Sequence, residues 1–383
     1  MLEFQLGMKM IKVGITELHG IAKEYFNNPP CGVTYFEVSK KKKNKYKFIT
    51  SPAKGVFDTF NGCDVDILEA PLFPILTDMP WIHTPADIYS SEGFGFLNLP
   101  TPVYFRDKFL HYIFKKKNFK KLLFKSQYGI DTFKKSYLSS TEEIFKKVDV
   151  LYPAIREVND SLIKVKKGQT SDFVNITFVG DFRRKGGLHL LETFEALQKK
   201  YNNIFLTLCS SRNLGYSFNI TNDILKRIDS NKNITIGFVK REVLLNEIFP
   251  QSDLFVSPTY AESFGFALVE AMAYGIPVIS TDISAIPEIV QHEKSGYLLK
   301  IRDSNFIKNL KGYSEINVPE DFHNAINKEL YNIIEELITN VEKRRNMGLN
   351  GLLIARDKFS FNKRNVKIKP IYEEALYSNN ISH

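Results

Sequence analysis

The stretch LFVSPTYAESFGFALVEAMAYGIPVIST, residues 254–281, holds a complete strand–helix–strand passage. LFVSPT (254–259) is an apolar run that breaks at Pro258 into a loop carrying Glu262. FALVEAMAY follows, apolar nearly all round, which predicts a buried helix beginning near Phe264 and Gly265. Gly275 and Pro277 stop that helix, and PVIST (277–281) begins the next run. Strands apolar on both faces and separated by helices are those of a parallel sheet covered on both sides.

The same rhythm extends upstream through NITFVG (175–180), IFLTLCS (204–210) and NITIGFV (233–239). Leu188, Leu191, Phe194 and Leu197 recur at helical spacing between the first two. The second half is therefore predicted to be a doubly wound α/β domain, which binds ligands in the loops beyond the carboxyl ends of its strands. The first half repeats the pattern more loosely, with strands predicted at MIKVGIT (10–16), VTYFEVS (33–39), VDILEA (65–70), WIHT (81–84), LLFKS (122–126) and VDVLYP (148–153). The polar stretch from Arg156 to Asp172, containing IKVKKGQTSD, is the best linker between the halves. A length of 383 residues favours two domains over one.

Composition removes several classes. A 43% hydrophobic fraction excludes wholesale disorder. Cys31, Cys63 and Cys209 share no C-x-x-C spacing, which argues against a disulfide framework or a cysteine zinc site and for a reducing cytoplasm. The N-terminus lacks a signal-peptide pattern, and no uncharged apolar stretch of about 18 residues is present to span a membrane. The formal charge of +9 is uneven: residues 1–170 carry 26 basic and 18 acidic side chains, residues 171–383 carry 26 and 25. The excess clusters at Lys40–Lys43 with Lys45 and Lys47, and in RDKFLHYIFKKKNFKKLLFK (106–125). A solvated lysine face, an anionic membrane surface and nucleic acid compete as explanations. No nucleic-acid-binding signature accompanies the lysines, so nucleic acid ranks last.

Two constellations carry chemistry. VGDFRRKGG (179–187) runs from a strand end into a helix start, where Gly186 and Gly187 permit close backbone approach and the helix start attracts an anion. Arg183, Arg184 and Lys185 add full positive charges there, although the Walker spacing is absent. In the second constellation, Glu270 lies on the buried helix, and a buried carboxylate needs hydrogen-bond donors. Two adjacent ribose or sugar hydroxyls would serve. Glu262 stands beside the Phe264 and Gly265 amides, so one loop offers a carboxylate for hydroxyls and amides for an anion. A nucleotide-sugar suits that pairing.

The two glutamates with seven residues between them, E-SFGFALV-E, followed by A-x-A-x-G-x-P-V-I, resemble the signature of retaining glycosyltransferases of family 4. AIPEIVQHEKSGYLL (285–299) and FVG…RRKGG are similar to two further motifs of that family, in the right order. The resemblance covers residues 148–300 and extends through the C-terminal helices. It implies the GT-B fold, two Rossmann-like domains facing across a cleft. The acceptor-side domain would be 1–165, the nucleotide-sugar domain 170–365, and the helix in 366–383 would pack back on the first. Glu270 would bind ribose, and Glu262 the donor sugar. Ser263 and the amides of Phe264 and Gly265 would meet sugar or diphosphate. Gly180, Arg183, Arg184 and Lys185 would hold and neutralise the diphosphate without a metal or cofactor, and Phe238 and Val239 would border the base. His83, after a strand end in PWIHTPADIY, would line the cleft near the reacting carbon. Gly14 and Gly20 in GITELHG are the only candidates for the acceptor-side glycine loop.

Three departures stand out. Asp181 occupies the place where the family usually has an arginine. The shorter turn leaves the choice between Arg183 and Arg184 open, and Ser284-Ala285-Ile286 replaces a glycine pair. CDVD (63–66), which mimics a D-x-D metal motif, leads straight into an apolar strand and is read as a strand start. The expected protein is a retaining, metal-independent hexosyltransferase moving a sugar from a nucleoside-diphosphate donor to a hydroxyl of a glycan or glycolipid. It would be cytoplasmic, with its basic half available to the inner membrane face. A nucleotide-sugar epimerase, a phosphorylase of like architecture and a non-catalytic nucleotide-sugar-binding protein are the competing readings.

Overall fold

The computed structural model describes residues 10–18, 22–38, 50–51, 60, 64–92, 95–96, 99–100, 103–164, 172–310 and 317–377. Gly20, Cys63, the Lys40–Lys47 run and the linker core 165–171 lie outside them. The chain divides into two compact units, Met1–Arg156 with Lys358–His383, and Glu157–Asp357. Each is a Rossmann-like α/β domain on a parallel sheet.

In the first unit β1 (Ile11–Ile15), β2 (Val33–Glu37), β3 (Ile67–Ala70), β4 (Trp81–His83), β5 (Phe119–Phe124) and β6 (Val148–Val150) form one sheet in the order β2-β1-β3-β4-β5-β6. Every pairing is parallel. A separate short antiparallel sheet pairs Thr50–Ser51, Gly95–Phe96 and Leu99–Pro100. The lysine-rich segment resolves into α1 (Val103–Lys115) and β5. Leu110, Ile113, Phe114 and Phe119 are buried, and the Phe114 and Phe119 rings stack at 4.5 Å against Trp81. Of the aromatics interleaved there, Tyr112 is exposed and carries the Lys116 ammonium 4.8 Å from its ring. Most of that aromatic content is core, and the lysines clothe it.

Gly14 lies within β1, and a Cβ there would come within 2.8 Å of both Leu68 and Val38. It is a close-packing glycine of the sheet, which corrects its assignment to an acceptor-side loop. Asp66 accepts the Lys12 amide at 2.8 Å and Asp64 pairs with the Lys12 ammonium at 3.0 Å, so both tie the start of β3 to β1.

His83 requires a second correction. It is fully buried; Nδ1 bonds the Ala70 carbonyl at 2.7 Å and Nε2 the Ser91 hydroxyl at 2.8 Å. Both nitrogens serve the fold, because β4 is covered on both faces and its last side chain turns inward. Burial pushes the imidazole down to about 3. As pH falls below the unfolded value, the unfolded chain takes the proton first, so stability is full above pH ~6.5 and declines towards pH 3. The wild type should lose about 2 kcal/mol from this residue between pH 7 and pH 5, and His83→Gln should remove that loss. Urea titrations followed by Trp81, the only tryptophan, would read it, and equal pH slopes in both proteins would refute it.

α2 (Gln127–Lys134) follows β5. The second unit orders β7 (Val174–Val179), β8 (Ile204–Cys209), β9 (Ile234–Gly237), β10 (Leu254–Ser257), β11 (Val278–Thr281) and β12 (Gly296–Leu299) as β9-β8-β7-β10-β11-β12, all parallel. β10, β11 and β12 are buried at every position, as the apolar runs require. α3 (Gly187–Gln198) follows β7, α4 (Phe218–Asp229) follows β8, and α5 (Phe266–Ala273) follows β10. The chain then runs through α6 (Glu320–Thr339) and α7 (Val341–Lys358). α8 (Phe361–Tyr377) belongs to the first unit.

Candidate active site

The two constellations lie in the second unit, after β7 and β10, which are neighbours in the sheet. Beyond Val179 the backbone turns at Gly180, whose φ of +124° favours glycine. The Lys185 side chain lies across that glycine, with Cδ 2.8 Å from where a Cβ would stand. Asp181 closes the turn: its Oδ1 accepts the Arg184 amide at 2.7 Å and its carbonyl the Lys185 amide at 3.0 Å. A short carboxylate therefore does the turn's internal bonding, a role that an arginine in its place could not fill. Gly186, with φ +73°, caps α3, and a Cβ on it would meet the Pro258 carbonyl at 2.3 Å. The Arg184 carbonyl accepts the Tyr260 amide at 3.1 Å. The two loops are thus joined through their backbones, with no room for a side chain at 186.

The three cations of the turn diverge. Arg183 donates to the Gly215 carbonyl at 2.7 Å and lies 4.9 Å from the Tyr216 ring, which commits it to the loop after β8. Arg184 is half-buried at the junction with the second loop. Lys185 meets Glu262 at 3.1 Å, with side chains only 15% and 19% exposed, so water screens the pair weakly. A phosphate there would meet an ammonium already held in place.

Phe264 is buried against Phe266, ring centroids 5.0 Å apart. Its side chain anchors the loop while Ser263 stays half-buried, and Gly265, φ +105°, caps α5. Glu270 projects from the middle of α5 with its side chain 7% exposed, and its Oε1 pairs with Arg241. Arg241 follows the β9 loop, where Phe238 is 84% exposed and Val239 half-buried. The carboxylate that seemed to need ligand hydroxyls thus has a protein cation beside it. Sequence reading missed Arg241 because 29 positions separate it from Glu270; its place two residues after Val239 was the available signal. Tyr216 was missed likewise, as a partner of Arg183 from another loop.

Behind the turn, buried His189 of α3 bonds Asn327 of α6 at 2.5 Å and stacks on His323 at 4.4 Å. His323 in turn bonds Glu192 at 2.6 Å, fastening the helix that carries the turn. His83 and Gly14 belong to the first unit.

Residues 160–352 match the family described as glycosyl transferases group 1. The chain belongs to that family. A protein from the cps region of Klebsiella pneumoniae is 28% identical over 169 residues, 42% of this chain and 43% of that one. The chain spans less than half the length of the curated relatives it matches. Among solved structures, a glycosyltransferase from Rickettsia africae ESF-5 superposes with a TM-score of 0.63 at 15% identity, covering 96% of this chain and 99% of that one. Anabaena HepE, crystallised with UDP and glucose, gives 0.58 at 14% identity, covering 95% and 99%. Both share this fold across nearly the whole chain.

Proposed function

We propose that this group 1 family member is a retaining glycosyltransferase that moves a sugar from a nucleoside diphosphate to a hydroxyl acceptor in glycan or glycolipid synthesis. The observation carrying this reading is the Lys185–Glu262 pair beside Gly180, in the same unit as buried Glu270. In this reading Glu270 accepts the ribose hydroxyls and Phe238 borders the base. Glu262 contacts the sugar, with Ser263 and the Phe264 and Gly265 amides close by. Lys185 and Arg184 meet the charge that develops on the departing diphosphate, so no metal or cofactor is called for. The bond from the anomeric carbon to the diphosphate oxygen breaks while a bond to the acceptor oxygen forms on the same face. The leaving oxygen takes the acceptor's proton. HepE's UDP and glucose support this donor class, and the Klebsiella protein's cps region supports a glycan acceptor.

Calorimetry of the purified protein against UDP-, GDP-, ADP- and dTDP-sugars tests the reading, followed by proton NMR of the product anomer. Binding of one donor and transfer with retained configuration are expected. Binding of none would overturn it, and epimerisation without acceptor would assign an epimerase instead.

A glycolipid acceptor would place the enzyme at the cytoplasmic membrane face. The exposed Tyr112 and Tyr137, among Lys108, Lys115 and Lys117, supply a basic surface for anionic headgroups. Among the described residues no helix is long and apolar enough to cross a membrane. Sedimentation with anionic vesicles should fall as salt rises, and binding to neutral vesicles alone would discard this surface.

A further inference from the structure

The Arg241–Glu270 pair joins the segment after β9 to the helix after β10, although two strands separate those elements in the sheet. Glu270 is 7% exposed on a helix otherwise apolar, whereas Arg241 is 37% exposed. Paired with the guanidinium at Oε1, the Glu270 carboxylate offers a ligand lone pairs and no proton, so it accepts hydrogen bonds and donates none. An acceptor-only group, fixed in direction by a planar cation, is matched by a ligand presenting two adjacent hydroxyl donors. A ligand with one hydroxyl removed would leave a buried anion under-bonded, which costs far more than losing a contact with a neutral group.

We infer that Arg241 makes this site selective for ribonucleoside diphosphates over their 2′-deoxy counterparts, so that the donor is a UDP-, GDP- or ADP-sugar rather than a dTDP-sugar. This rests on the proposed placement of ribose at Glu270 and adds a positioning residue and a donor class to it. Arg241 acts through Glu270, tightening the hold on the diol instead of competing with it.

The experiment is calorimetric titration of the full chain with UDP, GDP and ADP, then with the 2′-deoxy form of whichever binds most tightly. The wild type should prefer the ribonucleotide by roughly 10–100-fold, the span expected for one hydrogen bond to a charged, desolvated group. Arg241→Met should weaken the ribonucleotide about ten-fold or more and the deoxynucleotide by less than about three-fold, collapsing the ratio, while Arg241→Lys falls between. A wild-type ratio near one would overturn the inference even if neither variant folds. So would an Arg241→Met protein that keeps the ratio, or one that binds the ribonucleotide more tightly because a competitor has gone. If no nucleoside diphosphate binds the wild type, the functional reading itself fails, an outcome separate from these.

Discussion

Lys185→Met is expected to lower kcat/KM for transfer about 10²–10³-fold, mostly in kcat, the range seen when one preorganised charge is removed from a developing anion. The size follows from placement. The ammonium lies 3.1 Å from Glu262 in a weakly screened pair, and its stem lies across Gly180. It therefore needs no reorganisation when the diphosphate departs. Removing it also leaves a largely buried Glu262 without its cation, so a stability loss of about 1–3 kcal/mol should accompany the kinetic effect. Lys185→Arg should recover only part of the loss, because a planar fork cannot occupy the position of a compact charge over the glycine. Steady-state kinetics with the donor identified by calorimetry, beside thermal unfolding of each variant, separates the two effects. A loss of less than about three-fold in kcat would remove Lys185 from the reaction.

The strand-to-helix turn after β7 and the burial of Glu270 were legible because local chemistry specified them. A strand end, a glycine able to adopt positive φ and adjacent cations all lie within nine positions. The strands of the second unit were legible for a similar reason, since burial on both faces writes a continuous apolar run. β12 was not, because GYLL (296–299) is short and opens on glycine, and its identity as a strand depends on pairing with β11. Side-chain direction was the harder quantity. His83 stands at a strand end, where either face is open to it in one dimension; the Ala70 carbonyl and Ser91 decide that it points inward. Gly14 stands where the resemblance places an acceptor-side glycine loop, yet Leu68 and Val38 make it a packing glycine, and neither neighbour is near in sequence. Asp181 looked like a missing cation until its bond to the Arg184 amide showed what the turn itself requires.

Arg364→Met is expected to destabilise the first unit by about 3–5 kcal/mol, the cost of leaving a buried partner charge uncompensated. Arg364 enters from α8, near the C-terminal end of the chain, and meets Glu69 of β3 at 3.4 Å with both side chains 1% exposed. Around them Arg364 donates to the Tyr35 hydroxyl at 3.1 Å and lies 3.7 Å from the Tyr25 ring, while Thr84 donates to Glu69 at 3.0 Å. The Tyr372 hydroxyl completes the set with a bond to Glu69 and another of 3.3 Å to Tyr35. The helix is thereby fastened to the sheet by a polar network in which each member is another's partner, so removing one strands the rest. The double variant Glu69→Gln/Arg364→Met takes away both charges together and should be the more stable of the two, since the lost term is largely the orphaned anion. Trp81, 1% exposed in the same unit, reports its unfolding in urea. If Arg364→Met shifted that transition by less than about 1 kcal/mol, α8 would be held by its apolar contacts, Ile368 and Ile371 among them, and the buried ion pair would matter for orientation rather than stability.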